Sequence, residues 1–279
     1  MSEINKASAP KAQNEGVYHL QLKKGDVPGY VLLPGAPERC PKIASHWDEG
    51  AREVASYREY KTIVGTYKGA PIACTSTGIG GPSSEIAVHE LSVLGVHTGI
   101  RVGSTGCIVP EFDLNDLIIP VACVRKDGTS QSYVEAEYPA YADFYVTLAL
   151  ISACERLGFR YGLGLTHSVG SFYIGQGRPL ADDGSGYWPS FAGNIIGDLT
   201  AAKVTNIEME CSTQYVVGRL HGMRMGSILS VISNRVLDRW GDSGGEDRAC
   251  LAASEAVRIL AEWDRTGEVS VSMKMRKLA

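Results

Sequence analysis

The sequence predicts a single three-layer α/β domain in which helices flank a mixed central β-sheet. Strand-like and helix-like segments alternate along the whole chain, which is the pattern of α/β proteins. The chain has 279 residues, of which 44% are hydrophobic and 21% charged, and this suffices for one large globular domain. Polar and glycine-rich segments follow the ends of several predicted strands, where α/β sheets bind ligands. We therefore expect a ligand site at one edge of the sheet.

The predicted domain covers residues 17–265 and lies between two tails. Residues 1–16 are mostly polar and are expected to form a disordered tail, and residues 266–279 form a C-terminal tail. Neither an internal repeat nor a linker divides the segment between them. We therefore expect one folded unit.

Composition argues against several classes of function. The net charge is -4, which disfavours non-specific nucleic-acid binding and supplies no basic surface for a membrane. No apolar run reaches the roughly 18 residues of a membrane span, and the first residues lack the order of a signal peptide. The seven cysteines are scattered without a CxxC pair, which is typical of reduced thiols. We expect a cytoplasmic protein with no nucleic-acid and no membrane partner.

The first predicted strands end at polar segments. A buried strand at 30–33 stops at Pro34, and a helix begins near Arg39. A strand–glycine–helix junction presents free backbone N–H groups, which favour an anion. Arg39 is then either part of an anion site or a solvated surface residue. Two β-rich runs, at 61–65 and 71–76, are expected to form a hairpin.

A glycine-rich turn and a buried charge follow the hairpin. The turn at 77–84 leads into a helix at 85–94, which Ser83 or Ser84 is expected to cap. It matches neither a P-loop nor a dinucleotide fingerprint. In the next strand Arg101 interrupts an apolar run. A buried charge is costly unless it is paired, so Arg101 requires a bound anion or an acidic partner.

The second half of the chain continues the alternation of strands and helices. The predicted elements are a strand at 116–124, a helix at 143–157 that ends at Gly158, a strand at 162–169, a variable loop at 181–200, a helix at 212–220, a strand at 225–233 and a last helix from about residue 246. Apolar residues at helical spacing in the last helix indicate packing rather than chemistry.

The segment 171–178 places an amide and a guanidinium two residues apart beside two aromatic rings. Gln176 offers a hydrogen-bond donor and an acceptor side by side, which complement the imide edge of uracil. Arg178 can donate to a second carbonyl of the same ring, and Phe172 or Tyr173 can stack on a planar base. Taken alone, the segment is more typical of a polar surface loop than of a binding site.

Two further positions have competing interpretations. Glu208 and Glu210 flank Met209 just before a predicted helix. They form either a solvated charged turn or a ribose site, in which a carboxylate binds the sugar hydroxyls and the thioether lies against the ring. His19 lies in an apolar setting, where a histidine is usually structural.

These motifs together resemble the uridine phosphorylase family, within the nucleoside phosphorylases of the trimeric/hexameric type. The resemblance extends from about residue 17 to about residue 262. The matching segments, in order, are 18–20, 34–39, 56–59, 76–83, 101–106, 172–178, 208–210 and 234–235. The Gln176–Arg178 pair distinguishes the uracil-specific branch of that family from its purine-specific relatives.

The resemblance implies reversible phosphorolysis of uridine to uracil and ribose 1-phosphate, by attack of phosphate at C1′ through an oxocarbenium-like transition state. The residues that it makes catalytic are Arg178, Gln176, Arg101 and Glu210. Those that it assigns to phosphate are Gly35, Arg39, Arg58, Arg101 and Ser104. Those that it assigns to ribose are His19, Glu90, Met209 and Glu210, and those that it assigns to the base are Phe172, Gln176, Arg178, Glu208 and Arg235.

The resemblance also implies at least a homodimer, in which His19 and Arg58 reach the site of the neighbouring subunit. It leaves dimer and hexamer open. No cofactor is required, but Glu59, Ile79 and Ser83 match an intersubunit cation site of relatives, which here would hold potassium, calcium or nothing.

Two alternatives to uridine phosphorolysis remain after the motif analysis. One is a purine nucleoside phosphorylase or a nucleosidase, and the other is a non-catalytic nucleoside-binding protein of the same fold. Gln176 and Arg178 argue against a purine enzyme. The three phosphate arginines argue against a nucleosidase, and together with Glu210 they argue against a binding protein.

Overall fold

A computed structural model describes residues 6–12, 15–181, 185–241 and 244–271, which form eleven strands and six helices. The strands are β1 (Tyr30–Pro34), β2 (Arg52–Tyr57), β3 (Tyr60–Tyr67), β4 (Ala70–Thr75), β5 (Thr98–Cys107), β6 (Leu117–Lys126), β7 (Ala140–Tyr141), β8 (Tyr161–Val169), β9 (Asn206–Glu208), β10 (Arg224–Asn234) and β11 (Arg239–Trp240). The helices are α1 (Arg39–Ala44), α2 (Gly81–Val93), α3 (Phe144–Leu157), α4 (Ile195–Ala201), α5 (Cys211–Leu220) and α6 (Gly244–Thr266).

Helices cover both faces of the sheet, which confirms the predicted three-layer α/β architecture. Helices α1, α3 and α6 pack on one face, where Ile43 and Leu260 join the larger core. Helices α2 and α5 pack on the other face, where Val88 joins the second core. Successive side chains of a strand point to opposite faces. Leu32 of β1 therefore belongs to the first core and Leu33 to the second.

The strands pair in the order β11-β10-β6-β8-β9-β5-β1-β4-β3-β2, with β7 beside β6. Strand β10 also pairs in parallel with β5. Strands β5, β9, β8, β6 and β10 therefore close into a ring in which each member bonds to two others. The pairing mixes parallel and antiparallel ladders, as predicted. The closure was not predicted, because it depends on pairing between strands far apart in sequence.

Helix α3 has the boundaries that its sequence predicts. Asp143 is the N-cap, and its carboxylate accepts hydrogen bonds from the N–H groups of Tyr145 at 3.0 Å and Val146 at 3.1 Å. Gly158 ends the helix with a φ of 69°, which a glycine adopts without strain. Both signals are local, which explains why the sequence alone suffices here.

Helix α2 begins at Gly81 rather than at residue 85, and the predicted serine cap is wrong. Gly80 is the N-cap with a φ of 87°, no side chain caps the helix, and Pro82 lies in its first turn. Ser83 instead donates a hydrogen bond to the carbonyl of Thr77 at 2.5 Å. Because a Gly-Gly-Pro segment resembles a turn, the first helical residues were mistaken for part of the loop.

The loop predicted at 181–200 is wrong in its last part, because α4 begins at Ile195. Asn194 caps this helix by accepting a hydrogen bond from the N–H of Gly197 at 3.1 Å. Residues 182–184, which belong to the same prediction, lie outside the described residues. The helix was missed because glycines and aspartates dominate the segment before it.

The two predicted tails remain predictions. Residues 1–5, 13–14 and 272–279 lie outside the described residues. Within the rest, Lys11 forms an antiparallel bridge with Val17. Among the helices that the structure describes, none combines the length and the apolar character needed to cross a bilayer.

Candidate active site

A cavity of about 630 Å³ lies just beyond the carboxyl ends of β1, β4, β8 and β9, and β5 and β10 also contribute to its wall. This is the edge of the sheet at which the sequence predicts a ligand site. The predicted site residues that line the cavity are Gly35, Arg39, Glu59, Ile79, Ser83, Arg101, Ser104, Phe172, Gln176, Arg178, Glu208, Met209 and Glu210. Residues from distant parts of the chain therefore converge on one space.

Arg101 is buried in β5 and paired with two carboxylates. Its neighbours Ile100 and Val102 belong to the core under α3 and α6, so Arg101 points to the opposite face. Its Nε lies 3.0 Å from Glu208 and its Nη2 lies 2.5 Å from Glu210. Burial opposes the charge on Arg101, but the carboxylates of Glu210 and Glu208 outweigh it and raise the pKa of the guanidinium. The acidic partner that the sequence requires is thus present.

Glu208 and Glu210 are both buried, which excludes a solvated charged turn. The Glu208 carboxylate accepts hydrogen bonds from the N–H of Glu210 at 2.8 Å and of Cys211 at 2.9 Å, at the start of α5. It therefore fixes both Arg101 and the beginning of the helix. Burial raises the pKa of Glu210, and Arg101 only partly opposes this effect.

The glycine-rich turn supports two walls of the cavity through its backbone. The N–H of Gly80 donates to Glu210 at 2.5 Å. The N–H of Gly78 donates to the carbonyl of Gly35 at 3.0 Å, and that of Thr77 to Pro34 at 2.9 Å. Neither a P-loop nor a dinucleotide motif is needed to explain these glycines, because they bring backbone close to backbone.

Arg39 is a cavity residue whose side chain is largely covered, so the interpretation as a solvated surface arginine is excluded. Only 12% of its side chain is exposed, and Nη2 forms an ion pair with Glu246 of α6 at 2.7 Å. Nη1 donates to the carbonyl of Val102 at 3.1 Å. The buried Nε has no hydrogen-bond partner among the residues that the structure describes. An unpaired N–H of a cation favours an acceptor with negative charge.

Gln176 and Arg178 form a compact group with Phe172. Gln176 is 5% exposed. Arg178 donates to the Gln176 side-chain oxygen and, at 2.9 Å, to the carbonyl of Phe172. Its guanidinium also lies 4.1 Å from the centre of the Phe172 ring. Burial, and then the nearby charge of Arg235, lower the pKa of Arg178. The alternative of a polar surface loop does not fit these contacts.

Arg235 contacts the backbone of the loop that carries Gln176 and Arg178, and it does not line the cavity. Its guanidinium donates to the carbonyls of Gln176 at 2.9 Å and Gly177 at 3.1 Å. The structure thus gives Arg235 a supporting contact with the loop backbone, whereas the sequence predicts a direct contact with a base.

Three predicted residues lie away from the cavity within this chain. Arg58 is exposed at the turn between β2 and β3, with a φ of 54°. His19 and Glu90 line a second cavity of about 850 Å³. There the Glu90 carboxylate accepts hydrogen bonds from the backbone N–H of His19 at 3.0 Å and of Leu20 at 2.8 Å. A single chain therefore does not bring these three residues to the first cavity.

The cation site at Glu59, Ile79 and Ser83 stays a prediction. The Ser83 hydroxyl oxygen lies 3.0 Å from the carboxylate of Glu59, and exposed Ile79 also lines the cavity wall. Among the described residues, no group of three or more His, Cys, Asp or Glu side chains is arranged to hold a metal ion.

The sequence analysis gave no role to three cavity residues on β10 and β11, namely Ile232, Ser233 and Trp240. Ser233 directly precedes the motif Asn234–Arg235 at the end of a strand, a position that could have identified it. Trp240 carried no such signal, because its place on the short strand β11 depends on pairing with Ser233.

The fold and the cavity define an α/β protein with a polar cavity at the carboxyl ends of several strands. A model of the phosphorylase superfamily matches residues 30–262, so the chain belongs to this superfamily. A uridine phosphorylase of Thermococcus kodakarensis is 55% identical over 94% of this chain and 93% of its own length. A uridine phosphorylase of Escherichia coli is 40% identical over 88% and 96%.

The proteins similar to this chain also include one that is named for a different nucleoside. A guanosine phosphorylase of Halorubrum lacusprofundi is 33% identical over 86% of this chain and 95% of its own length. These similarities confirm the family resemblance inferred from the motifs.

Proposed function

We propose that this protein catalyses the reversible phosphorolysis of uridine to uracil and ribose 1-phosphate. The observation that carries the proposal is one cavity with two sets of polar side chains. Arg39 and Arg101 come from the β1–β5 side of β9, and Gln176 and Arg178 come from the β8 side. The 55% identity to a uridine phosphorylase supports the same substrate.

The uracil ring would bind at the group formed by Phe172, Gln176 and Arg178. The Gln176 amide matches a carbonyl next to an N–H, and the Arg178 guanidinium matches the second carbonyl. Because Gln176 is 5% exposed, its hydrogen bonds form away from water, where the difference between a matching and a mismatching base is large.

Phosphate would bind beside Arg39 and Arg101, with the Ser104 hydroxyl within the same wall. The unpaired Nε of Arg39 is a donor that an oxyanion would satisfy. The Glu246 ion pair holds the Arg39 side chain in position, so little rotamer entropy is lost when the anion binds. Glu210 and Met209, between the two sets, are the ribose contacts of the proposal.

The reaction breaks the C1′–N1 bond and forms a bond between C1′ and a phosphate oxygen, with inversion at C1′. The electron pair of the broken bond goes to the uracil, whose negative charge Arg178 and the Gln176 amide stabilise until N1 takes up the proton that hydrogen phosphate loses. The ribose gains positive charge, which the phosphate stabilises before it bonds to C1′. Much of the rate would come from holding two substrates in one orientation.

The proposal includes a homodimer at least, with an active site shared between subunits, in the cytoplasm. Support comes from exposed Arg58 and from His19, which lie away from their own chain's first cavity. The seven cysteines are free thiols, which fits a reducing compartment.

The test is uracil release from uridine with and without phosphate, beside the same assay with inosine. We expect release only with uridine and phosphate together. Release without phosphate would instead indicate a nucleosidase. Cleavage of inosine at a comparable rate would indicate a purine enzyme, and no turnover with either substrate would indicate a binding protein.

A further inference from the structure

Ser233 carries a buried hydroxyl that has no role in the proposed reaction as described above. The residue is 2% exposed, lines the first cavity, and its Oγ has no hydrogen-bond partner within the described part of the chain. Buried hydroxyls are nearly always paired, because an unpaired one loses its hydration without compensation. A group of this kind on a cavity wall points to a ligand atom as its partner.

A β-bulge explains why Ser233 reaches the cavity. In the ladder between β10 and β5, Val231 pairs with Thr105 and Ser233 pairs with Gly106, so Ile232 is the extra residue. A bulge interrupts the alternation of side chains between the two faces of a strand. Ile232 and Ser233, although consecutive, therefore both line the cavity.

Ser233 lies on the base side of the cavity. Two residues further along the chain, Arg235 binds the carbonyls of Gln176 and Gly177. Arg101, on the phosphate side, pairs with Ser227 much earlier in β10. The strand end that carries Ser233 therefore also supports the loop that would bind the uracil, and both line the same cavity. Opposite Ser233, Gly106 supplies no side chain, and a Cβ there would lie 3.0 Å from the Ser233 Oγ.

We propose that Ser233 determines which substituent the enzyme accepts at position 5 of the pyrimidine ring; this rests on the proposed function. Gln176 and Arg178 take the imide edge and the second carbonyl, which leaves the C5–C6 edge of the ring to face Ile232 and Ser233. A methyl group at C5 would cover the hydroxyl without pairing it, whereas a hydroxyl at C5 would exchange a hydrogen bond with it. The inferred preference is for hydrogen or a hydrogen-bonding group over methyl.

The test compares kcat/KM for 5-methyluridine and 5-hydroxyuridine, each divided by the value for uridine, in the wild type and in Ser233→Ala. We expect the 5-methyluridine ratio to rise about fivefold and the 5-hydroxyuridine ratio to fall about fivefold in the variant. Ser233→Cys, which is slightly larger and has a weaker donor, should give intermediate ratios.

Ser230→Ala is the matched control. Ser230 lies on the same strand, is 1% exposed, and its Oγ also has no partner among the described residues, but it is outside the cavity lining. We expect both ratios to stay at the wild-type values in this variant. Wild-type protein that does not cleave uridine would refute the proposed function. Active protein whose ratios change less than about twofold in Ser233→Ala, or change equally in Ser230→Ala, would refute the role of Ser233.

Discussion

The contact between Gln176 and Arg178 orients the two groups that would bind the base under the proposed function. Arg178 donates to the Gln176 side-chain oxygen and stacks on Phe172. This orients the amide so that its N–H₂ group is available, and Arg235 holds the backbone of the same loop. A base that binds here meets oriented donors, so little reorganisation is needed when charge develops on the ring.

We predict that Gln176→Ala lowers kcat/KM for uridine by roughly 100-fold, which is the typical effect of removing one oriented donor. Phosphate affinity should remain at the wild-type value, because Arg39 and Arg101 are unchanged. Steady-state kinetics and phosphate titration by calorimetry measure the two effects. Gln131→Ala, at an exposed glutamine of a short 3₁₀ helix, is the control. Near wild-type turnover in Gln176→Ala would contradict the assignment of this residue.

At the scale of elements, contacts between residues close in sequence determine the boundaries of α3, whereas a contact between distant residues determines the start of α2. Asp143 and Gly158 delimit α3 through contacts within a few residues, so the sequence predicts its boundaries correctly. The start of α2 depends on Gly80, whose N–H bonds to Glu210, a residue 130 positions away. A contact between residues this far apart in the chain cannot be recognised from a local sequence pattern.

Asp143→Ala should lower the free energy of unfolding by about 1 kcal/mol, because the N–H groups of Tyr145 and Val146 lose their acceptor. Urea denaturation measures this change. Asp143→Asn retains an acceptor oxygen and should lose only a few tenths of that amount. If the asparagine variant were as unstable as the alanine variant, capping would not be the role of Asp143.

The sequence predicts most of the polar residues that line the first cavity, but it does not predict the contacts between them. Gln176, Arg178 and Arg101 stand out because polar groups with specific chemistry follow or interrupt apolar strands. The partners of Arg101 lie more than 100 residues along the chain and become neighbours only through the pairing of β9 with β5. Ser233 enters the cavity because of a bulge, which a regular alternating pattern cannot indicate.

At the scale of the whole molecule, a single chain presents two incomplete parts of one predicted site. Arg58 is exposed, and His19 lies in the second cavity beside Glu90. A closed two-fold assembly would let each chain contribute these residues to its partner. Activity would then depend on the assembly, although the reaction itself uses one cavity per chain.

Mixed subunits test this dependence. Arg58→Ala and Gln176→Ala should each be nearly inactive alone. After joint unfolding and refolding, an equal mixture should recover about a quarter of wild-type activity, because half of random dimers are mixed and each has one intact site. Activity of the mixture that equals the mean of the two variants would mean that Arg58 does not serve a neighbouring subunit.

The closed ring of β5, β9, β8, β6 and β10 has a mechanical consequence for the floor of the cavity. An edge strand detaches from a sheet when the hydrogen bonds to its one neighbour break. A strand of the ring detaches only when the hydrogen bonds to two neighbours break. The ring strands carry Arg101, Ile207 and Ser233. The distances between these three residues are therefore nearly fixed. Any change in the width of the cavity must come from the wall segments outside the ring, such as 35–38, 77–80 and 171–178.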